Sequence, residues 1–250
     1  MTKGFIEMVR VQSAAPQLVV WDVDRTLLDA GPATHDALQD ALRMVTDMEL
    51  PSGPGWTGRT DPDVIRAVLR ERFANPARLD RMVADVLSAL PVQLARQRDR
   101  LVAEGRALPG VRRMLAALAS AGVRQTVLTG NVRANALLKL RLYGLADHLD
   151  LDLGAYGDDA EAREDLLPLV LDRVRAGGHD EVDPDRVWLI GDTPGDLACA
   201  RAGRVRCLLV GTGLYPAEQL ARLDPDGVAA DLTDLNALFH IIGATTTAGR

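Results

Sequence analysis

An α/β fold, a parallel sheet with an all-helical block inserted into it, is what this sequence predicts, and three observations predict it. Short valine- and leucine-rich runs end abruptly in aspartate, as in LVVWDVD (18–24) and RVWLIGD (186–192). Buried strands of a parallel sheet read this way, as unbroken apolar runs without alternation. Helical segments separate these runs, which argues for a sheet covered on both faces. From about residue 32 to 104, in contrast, the chain carries helical periodicity in Arg, Ala, Leu and Asp and no convincing strand.

Taken in order, the first strand is 18–24. The helical block follows, with breaks expected at 51–55, at Asn75-Pro76 and at Pro91. Leu108-Pro109-Gly110 marks its end. A helix over 111–120, a strand over 123–129 and a helix over 132–142 come next, then a short strand over 149–153 and a helix over 161–176. Asp183-Pro184 introduces the strand ending in Asp192, a helix over about 195–201 and the strand VRCLLVG (205–211). Pro216 opens a further helix at its favoured first turn. The last helix is expected over 234–242, with a frayed tail beyond it.

Composition narrows the class. The 250 residues are 47% hydrophobic and 26% charged, enough to bury a core without staples. A net charge of −6 disfavours nucleic acid and anionic membranes as partners. No run approaches the ~20 apolar residues of a membrane span, and Glu7, Arg10 and Gln12 interrupt any apolar leader at the N-terminus. A cytoplasmic protein, monomer or homodimer, is the expectation. Cys199 and Cys207 read as free thiols of a reducing compartment. Of the 29 basic residues only Lys3 and Lys139 are lysines.

In parallel sheets, ligands bind beyond the carboxyl ends of the strands, and the polar clusters fall there. Asp22 and Asp24 in DVDRT follow one strand, Thr129-Gly130-Asn131 the next, and Asp192 and Asp196 in GDTPGD a third. Paired carboxylates repel unless a cation lies between them, and oxygen-only ligands suit a hard ion such as Mg²⁺. A hydroxyl and free N–H groups at a helix start, as at 129–131, can cradle a phosphate. Each piece alone has an ordinary structural reading: an acidic strand end, a strand-to-helix turn, a helix N-cap. Two aspartate clusters at the ends of one sheet have none.

In this order the motifs resemble those of the haloacid dehalogenase-like hydrolase superfamily, and within it the phosphoglycolate phosphatase-like members. The helical block corresponds to that family's cap, and Gly58-Arg59-Thr60-Asp61 resembles part of it. The resemblance implies a Rossmann-like core over 1–28 and 106–250 and a cap over 29–105. It implies a Mg²⁺-dependent phosphatase acting on a small phosphorylated metabolite through an aspartyl-phosphate. Asp22 would be the nucleophile and Asp24 the general acid and base. Asp22, Asp24, Asp192 and Asp196 would bind the metal, the last as a supporting ligand or a partner of the ligands. Thr129, Gly130, Asn131 and a cation would hold phosphate. A phosphosugar mutase or a non-catalytic binding protein of the same fold are the alternatives.

Two departures stand out. Arg25 occupies a position usually held by glycine, and the lysine usual before the last motif is absent. Arg163 is the preferred substitute, with Lys139 its rival, read otherwise as a surface lysine. Arg59 and Trp56 sit in a cap loop that could close on substrate. His35 reads as a surface residue near the crevice; His148, His179 and His240 lack metal spacing.

Overall fold

The computed structural model describes residues 15–51, 55–177 and 182–244. Five parallel strands form the sheet: β1 (Leu18–Trp21), β4 (Arg124–Val127), β5 (Val187–Gly191), β6 (Arg206–Val210) and β7 (Gly227–Ala229), in the order β4-β1-β5-β6-β7. Side chains alternate across it and make two apolar layers. Val19, Trp21, Trp188 and Ile190 pack with helices α5 (Val111–Ser120), α6 (Arg133–Leu142) and α10 (Leu235–Ile242) on one face. Leu18, Val20, Leu189 and Leu209 pack with α7 (Leu166–Ala176), α8 (Pro194–Ala202) and α9 (Ala217–Ala221) on the other. Both faces are covered, which is why the strands read as continuous apolar runs.

The chain leaves β1, returns in β4 on one side of it, and crosses to β5 on the other. The switch falls at β1, so the crevice opens beyond Trp21. Four helices fill the gap between β1 and α5: α1 (Ala33–Thr46), α2 (Asp61–Arg70), α3 (Pro76–Arg96) and α4 (Arg98–Glu104). A two-residue antiparallel ribbon, β2 (Leu28–Asp29) against β3 (Arg106–Ala107), ties the two ends of this insert together. The apolar side chains of the insert, among them Leu42, Ile65, Val68, Leu90 and Leu94, continue the apolar layer on the β1 Trp21 face.

Three expectations are corrected. Pro91 does not break the block: α3 runs through it, because Leu90 and Leu94 on either side are fully buried and hold the helix in place. Residues 149–153 form no strand; Asp150 meets β4, its N–H donating to Gln125 O (2.8 Å) and its carbonyl accepting from Thr126 Oγ1 (2.6 Å), and just beyond the segment Ala155 bridges Leu128. The 161–176 helix starts later, as a short 3₁₀ turn (Arg163–Asp165) leading into α7. β7 and the β2–β3 ribbon, each two or three residues long, were not anticipated. The tail and residues 52–54 of the expected 51–55 break lie outside the described residues, as do Lys3, His179 and the N-terminal leader region.

Candidate active site

Asp22 follows β1 directly, its N–H donating to Ile190 O (2.9 Å), and its side chain is almost fully buried. The chain turns sharply after Asp24. Arg25 adopts φ +66°, its N–H donates to Leu28 O (2.7 Å), and Thr212 Oγ1 donates to its carbonyl (2.5 Å). The bend that glycine usually makes is therefore made by arginine in the left-handed region. Its side chain is half exposed and pairs with Asp29 (3.0 Å), not with the crevice acids.

Across from Asp22, the β5–α8 junction supplies Asp192 and Asp196. Thr193 caps α8, and Asp196 completes a capping box: its Oδ2 accepts from Thr193 N–H (3.0 Å) and Oγ1 (2.7 Å). Its Oδ1 accepts from Arg163 Nη2 (2.5 Å), which also donates to Asp22 Oδ1 (2.7 Å). Both oxygens of Asp196 are thus engaged. Asp192 differs: Oδ1 accepts weakly from Thr26 Oγ1 (3.4 Å), and Oδ2 is buried without a hydrogen-bond partner.

Three buried carboxylates against one guanidinium leave an excess of negative charge. Burial, then Asp196, pushes the Asp22 carboxyl up to about 7; burial, then Asp22, pushes Asp192 up to about 9. Burial works against the Arg163 charge, but Asp196 and Asp22 hold it firmly protonated. Oxygens of Asp22, Asp192 and Asp196 lie within 4.8 Å of one another. The orphaned Asp192 oxygen, the oxygen-only donors and the surplus charge fit a divalent cation. Glycines keep the space: a Cβ on Gly213 would stand 1.7 Å from Asp192 Oδ2, and one on Gly191 2.2 Å from Asp196 Cγ.

Lys139 is corrected as well. It is a fully buried residue of α6, not a surface one. Its Nζ donates to Asp24 Oδ1 (2.7 Å) and Oδ2 (2.5 Å) and to Asn131 Oδ1 (2.9 Å). Asn131 Nδ2 in turn donates to Asp24 Oδ2 (2.5 Å) and Thr129 Oγ1 (2.7 Å). Arg163 and Lys139 are therefore not rivals for one role: each grips a different aspartate of the DVD pair.

The insert reaches down to this floor. Asp61 N–H donates to Gly130 O (2.7 Å), and Asp61 Oδ2 accepts from Val132 N–H (2.8 Å) at the start of α6. Thr60 Oγ1 donates to Glu161 O (2.5 Å). Gly130 permits this approach, because a Cβ there would meet Arg59 O at 2.1 Å. Asp22, Asp24, Thr129, Gly130, Asn131, Arg163, Asp192, Trp56, Arg59 and His35 share one crevice of about 290 Å³. Arg59, proposed for substrate, is clamped by Asp63 at Nε and Nη2 (2.6 Å each) and lies over Trp56. His148 and His240 lie outside the crevice. Both cysteines are free and fully buried.

Sequence reasoning did not single out Asn135 and Thr34, which also line the crevice. A signal existed for Asn135: it sits four residues after Asn131 and four before Lys139, one helical turn each way.

A buried acidic triad at the switch point of a parallel sheet, under a helical insert, defines a hydrolase architecture that the comparisons make specific. Residues 19–201 match the haloacid dehalogenase-like hydrolase family, and the chain belongs to that family. It is similar to a plasmid-borne phosphoglycolate phosphatase of Cupriavidus necator, 33% identical, the alignment covering 88% of this chain and 92% of the relative. A phosphoglycolate phosphatase of Nitrosospira multiformis is 27% identical over 89% and 95% of the two chains. Among solved structures, CbbY from Rhodobacter sphaeroides in complex with phosphate superposes with a TM-score of 0.69 at 19% identity, covering 88% of this chain and 96% of that one. The protein is accordingly a phosphatase of the haloacid dehalogenase-like hydrolases, with a small phosphorylated substrate and an acidic cluster suited to a divalent metal. Among the described residues no helix is long and apolar enough to cross a membrane.

Proposed function

We propose that this phosphatase is Mg²⁺-dependent and hydrolyses a small phosphomonoester through an aspartyl-phosphate formed on Asp22. The observation that carries this reading is the division of labour between the two aspartates of the DVD motif. Asp22 is held by Arg163 and lies beside Asp192 and Asp196; Asp24, two residues on, is held instead by Lys139 and Asn131.

Asp22 attacks phosphorus, and the ester oxygen leaves with a proton from Asp24. Asp24 then takes a proton from water, which displaces Asp22 and releases phosphate. Arg163 keeps Asp22 aligned and, with Thr129 Oγ1 and the amides of Gly130 and Asn131, balances charge on the phosphoryl oxygens. Asp22, Asp192 and the Asp24 carbonyl would hold Mg²⁺, with Asp196 in support through Arg163 and the capping box. The ion would supply positive charge to the phosphoryl oxygens. Residues 29–105 act as a cap that excludes bulk water, and water rather than a second sugar hydroxyl accepts the phosphoryl group.

Purified protein is expected to hydrolyse phenyl phosphate with Mg²⁺ and to stop when a chelator is added. Asp22→Asn is expected to lose at least ~10³-fold in kcat, as removal of a covalent nucleophile does. Full turnover by Asp22→Asn would overturn the assignment.

A further inference from the structure

The crevice above Asp22 is charged at its floor, and the insert covering it brings apolar surface as well as Arg59 and Asp61. The insert contributes apolar surface there: Leu38 of α1, Leu50, Val64 of α2 and Leu90 of α3. Every arginine lining the crevice already has an ion-pair partner, Arg25 with Asp29, Arg59 with Asp63 and Arg163 with Asp22 and Asp196, although the buried Nε of Arg163 makes no hydrogen bond. His35, largely exposed, stands beside Asp36 (3.5 Å). Lys139 is consumed by Asp24 and Asn131.

Two residues lining the same crevice carry buried neutral polar groups that are unpaired. Asn135 is 1% exposed, and neither its Nδ2 nor its Oδ1 has a hydrogen-bond partner. Thr34 Oγ1, from the insert, is buried and also without one. Leaving both ends of a buried amide unsatisfied is costly, so such a side chain is expected to have a partner that binds. Asn131 and Lys139, a turn to either side of Asn135, are both fully engaged, so the vacancy is confined to one position.

We infer that Asn135 and Thr34 read the leaving group, one from each side of the crevice, and that this group is an uncharged, hydroxyl-bearing alcohol. The inference rests on the phosphatase reading above and specifies its substrate class. Hydroxyl groups donate and accept, so a polyol satisfies both ends of the Asn135 carboxamide at once. A carboxylate only accepts: it would pair with Nδ2 and set a negative charge against Oδ1, and each arginine of the crevice already has a carboxylate partner. Asp61, which also lines the crevice, would repel it further. The leucines and Val64 suit the carbon chain of the alcohol. The substrate named for the phosphoglycolate phosphatases carries such a carboxylate, so specificity here departs from theirs.

The test compares glycerol 1-phosphate, 2-phosphoglycolate and phenyl phosphate as substrates of the full chain with Mg²⁺. Glycerol 1-phosphate is expected to exceed 2-phosphoglycolate about tenfold or more in kcat/KM, the discrimination of one or two buried hydrogen bonds. Asn135→Asp replaces the donor end with a second acceptor. It is expected to lower the ratio of kcat/KM for glycerol 1-phosphate to that for phenyl phosphate by about tenfold, mainly through KM. Thr34→Val, close in shape and on the other wall, is expected to lower the same ratio about threefold or more, and decides the matter if the Asn135 variant does not fold. A preference for 2-phosphoglycolate, or an unchanged ratio in the folded variants, overturns the inference while leaving the phosphatase intact. Failure to hydrolyse any of the three substrates overturns the phosphatase reading itself.

Discussion

At Arg25 the backbone takes a conformation with φ +66° that favours glycine. A side chain in the left-handed region costs about 1–2 kcal/mol. The ion pair to Asp29 returns only a few tenths, because the arginine is half exposed and Asp29 keeps Arg106 at 3.4 Å. Arg25→Gly and Arg25→Ala both delete the pair, so the difference between them isolates the backbone. Glycine is expected to be the more stable by about 1 kcal/mol in chemical denaturation; equal stabilities would show that the turn stores no strain. Lys139 poses the opposite problem, a buried cation with a necessary partner. Lys139→Met leaves Asp24 without its ammonium, and removing one member of a buried pair costs about 3–5 kcal/mol. Asp24 is 35% exposed and regains water, so the expected loss is nearer 2 kcal/mol, together with a large fall in phenyl phosphate turnover. A variant with parental turnover would remove Lys139 from the machinery. The acids were legible in the sequence because aspartates after an apolar strand have few structural uses. The burial of Lys139 was not, since a lone lysine on a helix is ordinarily solvated and its partner lies 115 positions away.

Elements were legible to the extent that burial wrote them into the local pattern. β1 and β5, covered on both faces, produce unbroken apolar runs, and their ends mark the site. The β2–β3 ribbon and β7 are too short to show a period, and residues 149–153 carry a strand-like pattern that the turn at Leu151–Leu153 overrides. Pro91 shows local chemistry losing to packing. Proline inside a helix removes one hydrogen bond and costs about 3 kcal/mol, yet α3 continues for five residues beyond it because its apolar face is locked against α1 and α2. Pro91→Ala restores the donor, and the looser unfolded chain takes back about 1 kcal/mol. The variant is expected to be stabilised by about 1–2 kcal/mol, read as a higher thermal midpoint. A lower midpoint would mean that α3 depends on the proline's geometry.

For the molecule as a whole, what matters is how the helical insert is held over the sheet. The connection by chain is slight, a two-residue ribbon, so the noncovalent contact at Asp61 carries weight. There a cap residue serves as acceptor for Val132 N–H at the start of a core helix, an arrangement that helix polarity favours for a carboxylate. Burial outweighs it and raises the Asp61 carboxyl from 3.8 to about 6. An acid whose folded pKa is raised stabilises the folded state most when protonated. That contribution is complete below pH 3.8, declines as pH rises toward 6, and is gone above it. Asp61→Asn keeps an acceptor for Val132 and cannot ionise, so it escapes the decline. Its stability relative to the parent is therefore expected to improve between about pH 4 and 6 and to stay level above that. Because Asp61 is partly exposed in the crevice, the gain is on the order of 1 kcal/mol rather than the full value of the shift. Chemical denaturation of both proteins from pH 4 to 8 checks this. A difference independent of pH would mean that Asp61 is ionised across the whole range and that helix polarity, not burial, governs the contact between cap and core.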